Sequence, residues 1–492
     1  MSPALIISCI TVYFGILLLI AWLTSRNATS DSYFLGNKAS PWLVVAIGML
    51  GDSLSGVTFI SVPGKVGVGH FSYLQLVLGY FIGYIIITQV LLPVYYRMNL
   101  TSIYTFLREK MGPYSERTGS AFFILSRLFG AAARLFLAIG VLQFFVFGPM
   151  NVPFEVSVFV VIGLMLVYTY KGGIKTLVWT DMFQSLFLVL GVVLSIFAIA
   201  SAMDLGVGEL FSQAWSSDNA ETFFWDWREK NFFFKEFLGG IFIAVAMTGL
   251  DQNMMQKNLS CRSLPEAQKN IRVFSVIMVI VNVFFLSLGA MLYLYADKIG
   301  FVIPVNENNV PVTDHLFPGL ALEHLGTFAG IAFILGLTAS TFSSADSVLT
   351  TLTTSFYVDF LGKDKDTASS EEKKKRTRTM IHIAFALLLG LVILCFKLIN
   401  KQAIIDTVLL IAAYTYGPML GMFAFGLFVK RKVRDVAVPV ICLLSPVLCY
   451  FLSIWSVEIF SGYKFGNEML IVNGVITFLG MLLFSVKRTA NV

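Results

Sequence analysis

Hydroxyl groups crowd two otherwise apolar stretches of this chain. In Gly336-Leu-Thr-Ala-Ser-Thr-Phe-Ser-Ser-Ala-Asp-Ser347, the residues Ser340, Ser343, Ser344 and Ser347 recur at spacings of three and four, which is one face of a helix. Hydroxyl and carbonyl oxygens are hard, small donors, and a neutral cage of them suits Na+. Such a cage also lets the ion leave again. The other chemistry open to the ladder is bonding back to the helix's own carbonyls. The second stretch runs Val45-Ala-Ile-Gly-Met-Leu-Gly-Asp-Ser-Leu-Ser-Gly56 and continues Val57-Thr-Phe-Ile-Ser-Val-Pro-Gly64. Small polar residues fill its middle, and a Pro-Gly follows. That composition predicts a discontinuous helix whose freed backbone lines a cavity; close packing through small residues is the alternative.

Ionisable residues lie in the apolar runs as well: Asp52, Asp181, Asp251, Asp346, Asp406, Arg127 and Arg134. Charge in hydrocarbon is costly and points to function. Asp346 is one turn from Ser343. Asp181 follows Trp179-Thr180 near the inner end of its run, where it can snorkel, help release an ion, or complete a second cation site. Arg134, in Gly130-Ala-Ala-Ala-Arg-Leu-Phe-Leu137, has no acidic neighbour in its own run. Its planar fork can hold a substrate carboxylate or pair with a membrane aspartate. Arg127, two turns earlier, is expected to snorkel to the inside mouth. Met247-Thr-Gly-Leu-Asp-Gln-Asn-Met-Met-Gln-Lys257 reads as a second broken helix, and Tyr414-Thr-Tyr-Gly-Pro-Met-Leu-Gly421 as one disrupted by its Pro.

The elements that must position these residues follow from composition. Of 492 residues, 57% are hydrophobic and 13% charged, with a mean hydropathy of +0.80. A soluble domain carries roughly 25% charged residues. A soluble enzyme, a disordered chain and a coiled coil are excluded, and so is a β-barrel, whose strands alternate over about 10 residues. The chain is an all-α polytopic membrane protein. A net charge of +6 gives no reason to expect nucleic acid as a partner. Five Cys without a C-x-x-C pair and four scattered His give no disulfide, haem or metal framework.

Thirteen transmembrane helices are predicted, at 3–24, 40–64, 70–96, 120–147, 153–170, 178–203, 235–256, 273–296, 322–357, 379–397, 405–428, 435–457 and 468–487. With the N-terminus outside and the C-terminus inside, the inside segments hold 25 Lys and Arg and the outside segments 8. That is the bias the positive-inside rule demands. The first run, Pro3–Ser25, has no basic region before it and reads as a retained span. The basic run from Lys363 to Arg378 reads as an inside loop that fixes topology. The two predicted breaks fall five spans apart, which fits two inverted five-helix repeats. The whole chain, 1–492, then forms one transporter domain. Its parts are an extra helix and loop at 1–39, a first repeat at 40–203, a second at 235–428, and two further helices with a short tail at 435–492.

Three stretches carry a family likeness: Asp31-Ser-Tyr-Phe-Leu-Gly-Asn-Lys38 before the broken span, Tyr170-Lys-Gly-Gly-Ile-Lys-Thr-Leu-Val-Trp-Thr-Asp-Met-Phe-Gln184, and the serine-rich run followed by Phe356-Tyr-Val-Asp359. In these the chain resembles the sodium:solute symporter family, whose members carry sugars, proline, sialic acids, iodide, monocarboxylates and vitamins. The resemblance implies thirteen spans, N-out, around a LeuT-like core of two inverted repeats. It implies a sodium site made by the carbonyls of Gly51, Leu54 and Ser340 and the hydroxyls of Ser343 and Ser344. A second site known in some sialic acid carriers would map to Asp181, Ser343, Asp346 and Ser347, with Asp346 standing where a serine is usual. The membrane aspartate of the family's proline carriers falls on Ser53, so Asp52 does not inherit its role. Sugar-holding positions of galactose carriers fall on Thr58 and Val77, which argues against a hexose. The Leu92–Tyr104 stretch is closer to the iodide, monocarboxylate and multivitamin branch. Arg127 and Arg134 flank the position where sialic acid carriers place a carboxylate-gripping Arg.

The function expected is sodium-coupled symport of a small organic anion by alternating access, with Ser53, Ser55, Thr58, Gln75 and Arg134 as candidate contacts. Na+ is the transported coupling ion, and no organic cofactor or covalent chemistry is needed. The alternatives are a sodium-coupled sugar or polyol carrier, proton coupling through Asp346 and Asp181, and, in other classes, a channel or a membrane sensor. The expected setting is a bacterial inner membrane, with the chain functional as a monomer.

Overall fold

A computed structural model of the chain describes residues 3–25, 30–306, 309–363, 370–399 and 404–486. The side chain of Asp406 and residues 364–369 of the basic loop fall outside that description. Hydrocarbon offers no hydrogen bonds, so the backbone must satisfy itself, and helices do so within one segment. Nine helices among the described residues are long and apolar enough to cross a membrane. They are α1 (Ala4–Ser25), α4 (Tyr73–Arg97), α5 (Pro113–Phe147), α7 (Gly173–Met203), α10 (Leu264–Ile299), α11 (Gly326–Phe360), α12 (Glu371–Leu398), α13 (Thr407–Phe428) and α14 (Asp435–Ile454). Two bent pairs join them: α2 (Trp42–Ser53) with α3 (Gly56–Gly69), at 57°, and α8 (Phe233–Gly249) with α9 (Gln252–Leu259), at 63°. Two shorter apolar helices are α6 (Phe154–Thr169) and α15 (Met469–Leu483).

Helix α11 is the axis of the bundle. In its most apolar window 83% of residues are buried, against 28% in α1 and α14 and 33% in α12, which lie at the periphery. Small residues let neighbouring backbones touch. A Cβ at Gly79 of α4 would lie 2.1 Å from the Phe237 carbonyl oxygen, and one at Gly240 of α8 would lie 2.1 Å from that of Leu76. At Gly83, one turn on, the Ile241 oxygen would be 2.5 Å away. These glycines thus set α4 against α8 at backbone contact.

The disruption expected at Pro418 is absorbed rather than expressed as a break. Pro418 lies inside a continuous helix, but it lacks the N–H that would reach the Tyr414 carbonyl. Asn473 of α15 donates its Nδ2 to that carbonyl at 3.2 Å and to the Ala413 carbonyl at 3.0 Å. Its Oδ1 accepts from Ser445 at 2.6 Å. The two breaks that sequence composition predicted are present where expected, at Leu54–Ser55 and at Leu250–Asp251.

Candidate ion site and solute cavity

The first break exposes backbone oxygens. Leu54 leaves helical geometry with φ −98° and ψ 61°, and Ser55 is extended at ψ 175°. The last carbonyls of a helix have no partner within it. The Leu54 N–H still bonds the Leu50 oxygen at 2.6 Å, and beyond that no described donor reaches the carbonyls of Gly51, Asp52, Ser53 or Leu54. Opposite them lies the serine face of α11. A Cβ at Gly51 would sit 2.4 Å from Ser343 Oγ, so only glycine lets α2 approach this hydroxyl. The Gly51 N–H donates to Ser185 Oγ at 2.8 Å, which fixes α2 against α7.

The serines behave in two ways. Ser340 and Ser344 donate back to the carbonyls of Leu337 and Thr341 at 3.0 and 3.1 Å. Back-bonding, the alternative foreseen for the ladder, therefore occurs at these two positions. Ser343 and Ser347 turn away from their own backbone and each reaches Asp181 at 3.3 Å. Free carbonyls, hydroxyls and a nearby carboxylate form an all-oxygen donor set, which fits Na+.

The second break is closed by the protein itself. Tyr95 and Tyr104 donate to the carbonyls of Gly249 and Leu250 at 2.9 and 3.2 Å. Asp251 caps α9 by accepting from the Met254 N–H at 3.0 Å. The same carboxylate, through Oδ2, takes Arg127 Nε at 2.6 Å and the Tyr416 hydroxyl at 2.5 Å. Arg127 is thus a buried ion-pair partner and does not snorkel as its position near an inside mouth had implied. Its partner lies on a helix more than a hundred residues away in sequence, and a paired guanidinium has no reason to reach for water.

Lys257 is the larger correction. Counted among the inside-loop cations, it lies instead at 1% exposure in α9. Its Nζ donates to Asp52 Oδ2, to Asp181 Oδ2 at 2.5 Å and to Ser347 Oγ at 2.9 Å. No local signal marks it; the only hint is that Asp52 and Asp181 both needed a cation. Asp346 is buried too, but its Oδ2 accepts from the Tyr168 hydroxyl at 2.9 Å and its Oδ1 from the Ser347 N–H at 2.5 Å.

Arg134 forms no ion pair among the described residues. It is 7% exposed, and its Nε has no hydrogen-bond partner among the described residues. It lines a small pocket of about 10 Å³ together with Arg127, Ser126, Met247, Ala412 and Tyr416. One turn along α5, Phe136 and Leu137 belong to a cavity of about 1850 Å³. That cavity also touches Tyr73, Ala413, Lys65 and Lys230. Of the other candidate contacts, Gln75 is spent on structure. It donates to the Asn231 carbonyl at 2.9 Å and accepts from the Phe224 N–H at 3.2 Å, pinning the 204–234 loop to α4. Ser53, Ser55 and Thr58 surround the first break, form no side-chain hydrogen bond with a described residue, and line neither of these two cavities.

A helical bundle with two broken crossings, oxygen donors gathered at one break and a large cavity beside a helix that buries two guanidinium groups is the architecture of an ion-coupled carrier. The model of the sodium:solute symporter family matches residues 33–439. The chain belongs to that family; Na+ is its coupling ion, and it is a transporter rather than an enzyme. It is 25% identical to the sodium/sialic acid symporter NanT of Aliivibrio fischeri, over 94% of this chain and 91% of that one. It is 25% identical to the sodium-coupled monocarboxylate transporter 1 of Mus musculus, over 82% of this chain and 64% of that one. A solved Na+-coupled sialic acid symporter, substrate-bound and outward-open, shares its fold with a TM-score of 0.79 at 22% identity, over 97% of both chains.

Proposed function

We propose that the chain imports a small organic anion together with Na+ by alternating access. The observation that carries this reading is Arg134: a buried guanidinium without an acidic partner, two and three residues along the helix from Phe136 and Leu137, which line the large cavity. The membrane aspartates it might have paired with are otherwise engaged, Asp251 by Arg127 and Asp52 and Asp181 by Lys257. A substrate carboxylate would supply the missing charge and accept bidentate donation from the fork. The relatives named above, carriers of sialic acid and of monocarboxylates, support an anionic substrate.

Na+ is held by the carbonyls of Gly51, Leu54 and Ser340 and the hydroxyls of Ser343 and Ser344. It bridges α2 to α11 and so favours the arrangement in which the cavity is open. The substrate binds beside the break, with Ser53, Ser55 and Thr58 as further polar contacts, and closure follows. Each ligand raises the affinity for the other by the same factor. The long helices, the two bent pairs and the two shorter helices together supply thirteen crossings. Two inverted repeats, N-out topology, a bacterial inner membrane and a monomeric carrier complete the reading.

The test is thermal stabilisation of the purified protein by sialic acids and short monocarboxylates, in Na+ and in K+. Stabilisation in Na+ alone, lost in Arg134→Gln and weakened at least tenfold in Ser343→Ala, is the expected result. Equal stabilisation in K+ would remove sodium coupling at this site. Retained carboxylate binding in Arg134→Gln would remove the anchor.

A further inference from the structure

Among the buried charges, Lys257 has a placement that sodium coupling leaves unexplained. Its ammonium lies against Asp181 and Ser347, two of the four residues that the family resemblance assigns to a second sodium site. A third residue of that set, Asp346, has both oxygens engaged elsewhere. The fourth, Ser343, donates to the other oxygen of Asp181. Asp52, which belongs to neither sodium set, closes the ammonium's shell. The shell is therefore three oxygens around a cation that the chain itself carries.

We propose that the Lys257 ammonium is the resident cation of the second position, and that the chain binds a single Na+. This rests on the sodium-coupled reading above and adds the number of ions to it. The physical reason is charge. Two unit positive charges about 4 Å apart, in a protein-like dielectric, repel enough to weaken binding by about a thousandfold. Na+ cannot share Asp181 and Ser347 with the ammonium, and to displace it Na+ would have to break three buried contacts, two of them to carboxylates. Helix α9 is fixed in turn: Gln256 beside Lys257 donates to the Phe34 carbonyl at 2.6 Å, and Asp251 caps the first turn. Lys257 is 1% exposed, so its ammonium can leave the shell only if the side chains packed around it give way. It also serves the first site, because it holds Asp181, and with it the Ser343 hydroxyl, against α2.

The experiment counts bound ²²Na+ on the purified chain in lipid nanodiscs, with Na+ as the only ligand. Wild type is expected to saturate at one ion per chain, and Lys257→Gln at two. Wild type saturating at two overturns the proposal, whatever the variant does. So does a folded Lys257→Gln that still saturates at one, folding being judged by monodispersity and melting temperature. Ser343→Ala separates this proposal from the reading beneath it. One ion in wild type and none in Ser343→Ala supports both. Two ions in wild type and one in Ser343→Ala leaves the sodium site standing and removes the resident cation. One ion in wild type and one, undiminished in affinity, in Ser343→Ala moves the sodium site elsewhere while the count holds.

Discussion

Arg127 and Arg134 are two turns apart on one helix and line one small pocket, yet only Arg127 has an acidic partner. Arg127 is matched by Asp251, so removing it strands a buried carboxylate. Breaking a buried pair from one side costs about 3–5 kcal/mol. Arg127→Ala should therefore lower the melting temperature sharply, and Asp251→Asn should relieve much of that loss when combined with it; a double-mutant cycle in a thermal melt checks this. Arg134→Ala removes no partner and should leave the melting temperature of the unliganded protein nearly unchanged, while substrate stabilisation disappears. The difference could not be read from the sequence. Both arginines sit in apolar runs, and nothing local says which one has a carboxylate across from it. Lys257 was hidden for a related reason. It stands beside polar residues at the end of an apolar run, where a cation ordinarily marks the membrane edge, and its two aspartates lie 205 and 76 residues away.

Elements were far more legible than partners. Backbone breaks announce themselves through composition, because a helix interrupted in a membrane needs small polar residues at the interruption. Leu54–Ser55 and Leu250–Asp251 both obeyed that rule. What composition did not reveal is that only the first break is left open, since the tyrosines that close the second come from other segments. The Pro418 helix shows the same limit: the proline was visible, whereas the Asn473 side chain that repairs it was not. Asn473→Leu would leave the Tyr414 carbonyl buried without a donor, at a cost of about 1–3 kcal/mol. Its effect should appear as a lower melting temperature with unaltered Na+ affinity. Gly51→Ala should lower the melting temperature and Na+ affinity together. The added methyl meets Ser343 Oγ, so Na+ affinity should fall at least tenfold in a ²²Na+ binding assay.

At the scale of the whole molecule, the charge bias along the chain survives the loss of Lys257 from the inside loops. The proposed orientation makes a direct prediction for impermeant maleimide. Lys230→Cys should label in intact cells and Lys375→Cys only after permeabilisation; the opposite pattern would invert the topology. The labelling starts from a Cys9→Ser, Cys395→Ser background, because Cys395 is exposed and Cys9 half-buried. Cys261, Cys442 and Cys449 are buried, and burial, with Glu266 adding to it, pushes the Cys261 thiol up to about 12. At neutral pH it therefore holds almost no reactive thiolate.

The backbone contact between α4 and α8 carries a mechanical consequence. Where Gly79, Gly83 and Gly240 bring two helices together with no side chains between them, there is no soft layer to shear. The pair must travel as one stiff plank, and the 204–234 loop, tied to it by Gln75, must ride along. Compliance is then confined to the two bends, which become the pivots on which any rocking of the bundle turns.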